Sequence, residues 1–313
     1  MDEKMSKLPK MIVLLGPTGA GKTDWSLRFA KKFSGEIIGA DSRQMYKKMN
    51  IGTAKPAGEW RRAGLKKLYV VDDIPHYMTD IIDPGKAFSV AEFRNSAIKC
   101  AKSIHKAGHI PMLVGGTGLY ISSVVDNLHI PRIEPNKQLR KSLEEKSLDE
   151  LCNLLERMDF ETVQNIDKKN KRRLIRALEV CILSGESFSK QQQKGEALFD
   201  FLQIGVDVSR EELYRRLDAR VDTMMKLGLL KEVELLLKQK YAWHLPSMSG
   251  VGYRQFQAYF EGTETLDRCI ELLKRDTRRF ARRQMTWFRR NKDIRWCKTY
   301  EEAEALIEKF LSE

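Results

Sequence analysis

Apolar runs alternate with segments of helical spacing along the first 120 positions. Lys10-Met-Ile-Val-Leu-Leu15 is continuously apolar after its lysine and predicts a strand buried on both faces. It ends at the Gly-rich segment Gly16-Pro-Thr-Gly-Ala-Gly-Lys-Thr23. Residues 24–33 have helical spacing, with Trp25, Leu27, Phe29 and Ala30 as packing candidates. Residues 36–40 predict a second strand, ending at Asp41-Ser42, and residues 67–71 a third, before Asp72-Asp73-Ile74-Pro75-His76. Val90, Phe93, Ala97, Ile98 and Ala101 predict a helix over 88–106. Residues 109–114 form the next expected strand, closing on Gly115-Gly-Thr-Gly118. Strands alternating with helices, each strand ending in Gly or Asp, predict an α/β fold: a parallel sheet flanked by helices on both faces. Ligands of such sheets bind beyond the carboxyl ends of the strands. The candidate chemistry gathers at those ends.

After Asn127 the texture changes. Pro131, Pro135 and a polar stretch lead into a charged helix over 136–156. A basic run over 167–176 continues into the apolar residues 177–183 and stops at Gly185. Residues 199–206 read as a strand returning to the sheet. The expected organisation is therefore a core of residues 1–125 and 199–313, interrupted by a mainly helical insertion over 126–198. Helices are expected over 211–240 and about 267–290, then a short strand near 293–298 and a closing helix.

Composition narrows the class. The chain has 313 residues, 42% apolar and 32% charged, with only 9 Pro and 20 Gly, which is a globular composition. No apolar run approaches the roughly 20 residues that span a bilayer, so no membrane is expected. The apolar run over 11–15 is too brief for a signal-peptide core. The five cysteines form no Cys-x-x-Cys pair, which argues against a disulfide framework or a structural zinc and for a reducing cytoplasm. The net charge of +13 makes a polyanionic partner worth testing.

Gly16-x-x-x-x-Gly21-Lys22-Thr23 is a complete phosphate-binding loop in the strand-to-helix context it requires. Its backbone N–H groups turn inward around phosphate oxygens, and the helix behind adds its dipole. Lys22 would reach the outer phosphate and the Thr23 hydroxyl would ligate Mg²⁺. Asp41 ends the neighbouring strand: it suits a general base or a Mg²⁺ ligand, against the simpler reading of a helix N-cap. Asp72 and Asp73 compete as metal ligands, although Pro75 makes a structural turn equally good, and His76 reads better as a packing residue. Gly115-Gly-Thr-Gly118 is a tight corner or an anion-friendly turn that aims Thr117 at the same cleft. Lys55, in Gly52-Thr-Ala-Lys-Pro56, is a possible phosphate contact.

Two tracts carry the charge. Residues 168–176 hold six Lys or Arg, and residues 274–295 hold ten against only Asp276 and Asp293. In the second, Arg275, Arg278, Arg279, Arg282, Arg283, Arg289 and Arg290 share a broad helical face interleaved with Phe280, Trp287 and Phe288. An ordinary solvated face mixes signs. This one does not, which favours a nucleic-acid backbone as partner.

The phosphate loop, Asp41-Ser-Arg-Gln-Met-Tyr46, Gly52-Thr-Ala-Lys-Pro56, Gly115-Gly-Thr-Gly-Leu-Tyr120, Arg173-Leu-Ile-Arg-Ala-Leu-Glu-Val180, Val251-Gly-Tyr-Arg-Gln255 and Arg282-Arg-Gln-Met-Thr-Trp-Phe-Arg289 occur in that order. Together they closely resemble the tRNA dimethylallyltransferase family, in its bacterial form, from near residue 10 to near residue 298. The sequence departs from the family pattern at Arg43, Met45 and Tyr77. The resemblance implies a P-loop NTPase-like core with a helical insertion. It implies transfer of a dimethylallyl group from dimethylallyl diphosphate to N6 of adenosine 37, in the tRNA anticodon loop. It implies that Gly16, Pro17, Thr18, Gly19, Ala20, Gly21, Lys22 and Thr23 bind the donor with Mg²⁺. Arg220 would reach the diphosphate, and Asp41 would accept the N6 proton with Thr117 alongside. Contacts to tRNA are expected from Asp41, Ser42, Arg43, Gln44, Thr117, Arg140, Arg172, Arg173, Arg176, Tyr253, Arg254, Arg282, Arg283, Gln284, Trp287 and Arg289. A cytoplasmic monomer is expected. Two rival readings stand: a kinase using the same loop with ATP, which leaves the basic tracts unused, and a non-catalytic RNA-binding protein, which leaves Asp41 and Thr117 as coincidences.

Overall fold

The computed structural model describes residues 8–313 apart from residues 65, 132 and 192. In chain order the first elements are β1 (Lys10–Leu15), α1 (Lys22–Lys32), β2 (Gly35–Ala40), β3 (Glu59–Ala63), β4 (Lys66–Val71), β5 (Ile74–Tyr77), α2 (Val90–Lys106), β6 (Ile110–Gly115) and α3 (Gly118–Val125). Five helices follow: α4 (Lys137–Glu144), α5 (Leu148–Met158), α6 (Phe160–Asn165), α7 (Lys171–Ser184) and α8 (Phe188–Gln191). The chain then forms β7 (Asp200–Val206), α9 (Arg210–Lys226), α10 (Leu229–Lys238), α11 (Gln257–Phe260), α12 (Leu266–Phe288), β8 (Arg295–Cys297) and α13 (Tyr300–Ser312).

One compact unit takes the chain up to Val124 and again from Leu198 to Glu313. Its sheet has the order β3-β4-β5-β2-β6-β1-β7-β8. The strand β1 is central because it is apolar on both faces: Ile12 and Leu14 join the core cluster under α1 and α13, and Met11, Val13 and Leu15 are as deeply buried on the other face. It pairs in parallel with β6 on one side and β7 on the other. The strand β6 pairs in parallel with β2. Three adjacent strands, β2, β6 and β1, thus release the loops at Asp41, Gly116 and Gly16 side by side at one edge. That juxtaposition creates the site.

The sheet is not parallel throughout, although the alternation of elements predicts that it should be. Two strands invisible in the apolar pattern, β3 and β5, flank β4, which pairs antiparallel with both. Val71 pairs with Ile74, leaving Asp72 and Asp73 as a two-residue turn with φ of 48° and 65°. Positive φ at both central residues is the hairpin geometry that matches strand twist, and Asp tolerates it. The pair therefore builds a turn, at the end of β5 away from the phosphate loop.

Long predicted helices break where local chemistry stops them. The helix expected over 211–240 is divided at Gly228, whose φ of 94° is left-handed. The helix expected over 136–156 is divided by a capping box in which Ser147 and Glu150 satisfy each other's backbone N–H groups.

The second unit, Val125–Ala197, contains α4 to α8 around a core of Leu143, Leu151, Leu155, Val163, Leu174, Ala177 and Leu178. Within it Glu179 is fully buried and accepts hydrogen bonds from Asn136 N–H, from Arg140 at 2.8 and 2.7 Å and from Arg176 at 2.6 Å. Burial alone would raise its carboxyl, but these donors hold it below the ordinary range.

Candidate active site

The phosphate loop leaves β1 at Gly16 and enters α1 through Gly21. At Gly19, φ is +83°, a backbone conformation that favours glycine, and a Cβ there would press on the end of the Leu217 side chain at 2.7 Å. The Lys22 ammonium folds back across the loop and donates to the Pro17 carbonyl at 2.8 Å. Although the residue as a whole is half-buried, its charged end is desolvated, which lowers its pKa to about 8 from 10.5. The nearby Asp41 carboxylate acts against that shift and the Arg220 guanidinium adds to it. Arg220 projects from α9, with a terminal nitrogen 3.5 Å from the Thr18 hydroxyl, and burial lowers its pKa too. Two cations and one carboxylate therefore converge on the loop. Thr23 lies exposed at the start of α1.

Asp41 caps a turn and remains available for chemistry. Its Oδ1 accepts the Arg43 N–H at 2.8 Å and the Gln44 N–H at 3.4 Å. These bonds fix the carboxylate and leave Oδ2 without a hydrogen-bond partner among the described residues. Thr117 is locked beside it: its N–H donates to the Ala40 carbonyl at 3.1 Å, and its hydroxyl accepts the Ser42 N–H at 3.0 Å. The corner at 115–118 is a packing device that presents one hydroxyl.

Several expected tRNA contacts point inward. Gln284 is only 6% exposed and spends both ends of its amide on protein backbone, at Thr18 N–H and Gly116 C=O. Tyr253 is 1% exposed, and its hydroxyl donates to Glu232 at 2.8 Å. That carboxylate also accepts the N–H groups of Asn50, Ile51 and Gly52. A burial cost and the Glu232 charge push the Tyr253 phenol well above its ordinary range, so it stays a donor. Lys55 is likewise internal, bonded to Asp80, Asn50 and the Tyr46 carbonyl, and offers nothing to a phosphate. Arg140 and Arg176 are committed to Glu179. The Gln44 amide donates to the carbonyls of Thr53 and Ala54, the Arg43 guanidinium to that of Pro246. His76 is buried on β5, a packing residue with its pKa lowered by desolvation. The decisive acids are Glu232, in the first turn of α10, which reads in sequence like any surface glutamate, and Glu179, whose one signal is its place within the apolar run 177–183.

This placement of Tyr253 has a measurable consequence. Tyr253→Phe removes one hydrogen bond to a charged group and should lower unfolding stability by about 1.5–3 kcal/mol, read by urea titration. Affinity for RNA should not change; a selective loss of RNA binding at unchanged stability would return Tyr253 to the surface contacts.

The basic tract on α12 divides in two. Arg278 pairs with Asp218, Lys274 with Asp222, and Arg254 and Arg275 with Asp276. Arg282, Arg283, Arg289 and Arg290 are exposed and have no ion pair among the described residues. Trp287 is half-buried, with its ring against Gly118. In the second unit Arg172 and Arg173 are exposed. Unneutralised cations gathered at one end of a helix are unlike a mixed solvated face.

Comparison with known proteins adds an independent line. The sequence model of a family described as IPP transferase matches residues 44–291. A tRNA dimethylallyltransferase of Chloroflexus aggregans is 42% identical over 303 residues, covering 95% of this chain and 99% of its own. One from Pelotomaculum thermopropionicum is 41% identical over 298 residues, covering 94% and 92%. The crystal structure of a tRNA isopentenylpyrophosphate transferase from Bacillus halodurans superposes with a TM-score of 0.71 at 34% identity, covering 97% of this chain and 95% of that one. A eukaryotic dimethylallyltransferase solved acting on tRNA gives 0.79 at 27% identity, covering 97% and 80%. The core is accordingly the P-loop NTPase-like α/β fold of those enzymes. With relatives above 40% identity along nearly its whole length, the chain belongs to the IPP transferase family, whose named members are tRNA prenyltransferases.

Proposed function

We propose that the chain transfers a dimethylallyl group from dimethylallyl diphosphate to N6 of adenosine 37 in tRNA, releasing diphosphate. The observation that carries this reading is the convergence of Lys22, Arg220 and Asp41 at the loop. Two cations suit a departing diphosphate, and a fixed carboxylate with an open oxygen suits an attacking amine. In the reaction the N6–C bond forms as the allylic C–O bond breaks. The electron pair leaves with the diphosphate, and the N6 proton passes to Asp41 Oδ2. Loop amides, Lys22 and Arg220 stabilise the charge gained on the leaving group. Thr117 fixes the backbone of Ser42 next to the base and offers its hydroxyl to the acceptor. Adenosine 37 must leave its stack to reach this edge of the sheet.

The site also suits a divalent cation, Mg²⁺ in our reading. Among the described residues no cluster of three His, Cys, Asp or Glu can hold a metal by itself. A hard ion that keeps most ligands from substrate phosphate and water needs only one or two protein oxygens, and the Thr23 hydroxyl would hold it. When bound it neutralises charge on the diphosphate. A kinase reading is not favoured, because it leaves the α12 cations unused and the named relatives are prenyltransferases.

The exposed cations are assigned to the tRNA backbone: Arg282 and Arg283 on α12, Arg289 at its C-cap, and Arg172 and Arg173 in the second unit. Arg282→Glu or Arg173→Glu should weaken tRNA binding and flatten its logarithmic salt dependence by about one unit for each phosphate no longer neutralised. Donor affinity should be unaffected. Filter binding across a salt series reads both, and unchanged slopes in both variants would make these residues a solvated face. The assignment as a whole is tested by mass analysis of nucleosides after incubation with unmodified tRNA and the donor.

A further inference from the structure

Gln284 has a place in the fold that a nucleic-acid contact does not explain. It sits on α12 two residues from Arg282 and one from Arg283, but on the buried face with Ala281 and Phe288, at 6% exposure. Its Oε1 accepts the Thr18 N–H at 2.9 Å, inside the phosphate loop. Its Nε2 donates to the Gly116 carbonyl at 2.8 Å, one residue before Thr117. One planar amide thus bridges the loop after β1 to the loop after β6. A Cβ at Gly116 would lie 2.3 Å from that amide nitrogen, so the approach is as close as glycine permits. Three residues on, Trp287 packs its ring where a Cβ at Gly118 would lie 2.2 Å away. On the same helix Arg278 binds Asp218 of α9, the helix that also carries Arg220. Through these bonds α12 braces the donor loop, the acceptor corner and the helix of Arg220 together.

We propose that Gln284 is a positioning residue for prenyl transfer, setting the spacing between the donor loop at Thr18 and the acceptor corner at Gly116–Thr117. This rests on the transfer reaction proposed above. An in-line displacement is sensitive to that spacing, since a misplacement of about 1 Å can cost about 10²-fold in rate. The amide suits both partners: it carries a donor and an acceptor on one rigid group, facing a carbonyl and an N–H. Gln284 touches neither substrate. It acts through the two loops, so its loss should appear in the rate of the chemical step at saturating substrates and not in tRNA affinity.

Two variants test this, measured beside the wild-type protein by single-turnover transfer with saturating tRNA and dimethylallyl diphosphate. Gln284→Met keeps the length and removes both hydrogen bonds; its rate should fall about 10- to 10²-fold, with tRNA affinity unchanged. Gln284→Glu keeps an acceptor for Thr18 N–H but sets a carboxylate against the Gly116 carbonyl. Once protonated it regains a donor, so its rate relative to wild type should rise as pH falls. Where circular dichroism shows Gln284→Glu fully folded across the pH range, that response does not follow from a purely structural role, and it survives if Gln284→Met proves unstable. A wild-type rate retained in Gln284→Met, or a Gln284→Glu ratio flat with pH, overturns the inference. Loss of tRNA affinity in proportion to rate would also overturn it, making Gln284 a binding residue. Absence of transfer by the wild-type protein would instead refute the proposed function.

Discussion

Asp41→Asn is expected to lower the rate of prenyl transfer by about 10²- to 10⁴-fold, the usual contribution of a general base. The substitution is conservative for the fold. The Asn side-chain oxygen can still accept the N–H groups of Arg43 and Gln44 that Asp41 Oδ1 accepts now. What disappears is the second oxygen as a proton acceptor, together with the negative charge that faces Lys22. Affinity for tRNA should therefore stay close to wild type while the single-turnover rate collapses. If binding and rate fall together, Asp41 is a recognition residue and the proton goes elsewhere.

Lys22→Ala should lower kcat/KM for dimethylallyl diphosphate by about 10²- to 10³-fold, the range seen when one charge-stabilising donor is removed. Binding of tRNA should be spared. The site adds a pH dependence whose sign is fixed by the ammonium of the free enzyme, depressed to about 8 from its ordinary 10.5. A diphosphate beside it restores the higher value. Donor binding should then take up protons as pH rises past about 8, and affinity should weaken over that interval. Calorimetry in buffers of different ionisation enthalpy measures the uptake. No uptake above pH 8, or an Ala variant with unimpaired kcat/KM, would remove Lys22 from the donor site.

Much of the donor site is legible in the sequence because its residues are neighbours there. The loop from Gly16 to Thr23 lies on one strand-to-helix turn, and Asp41 follows a strand whose apolar run marks its end. Arg220 is reachable only through the resemblance, since nothing in a helical arginine says that it will meet Thr18 some 200 positions away. The other partners are also apart in sequence, by 21 to 266 positions. Tyr253 meets Glu232, which also serves the turn at Asn50–Gly52; Lys55 meets Asp80; and Gln284 meets Thr18 and Gly116. Tertiary packing chooses such partners, so a polar side chain that looks like a surface contact in sequence can be an internal brace. The sheet edge is hidden for a local reason. In β3 the residues Glu59, Trp60, Arg61 and Arg62 are exposed, and β5 is four residues long. Neither shows the apolar run by which buried strands announce themselves.

In the proposed reaction a phosphate loop of the nucleoside-triphosphatase type cradles a prenyl donor. Its amides and Lys22 recognise phosphate oxygens and not what lies beyond them, so ATP can occupy the loop. ATP offers no allylic carbon for N6 to attack and should act at most as a competitor. The most direct test is turnover in nucleotide-free buffer containing Mg²⁺, purified dimethylallyl diphosphate and unmodified tRNA, followed by mass analysis of the nucleosides. The expected result is N6-dimethylallyl-adenosine at position 37 with no ATP present, and no tRNA-stimulated ATP hydrolysis. Modified adenosine appearing only when ATP is added would contradict it.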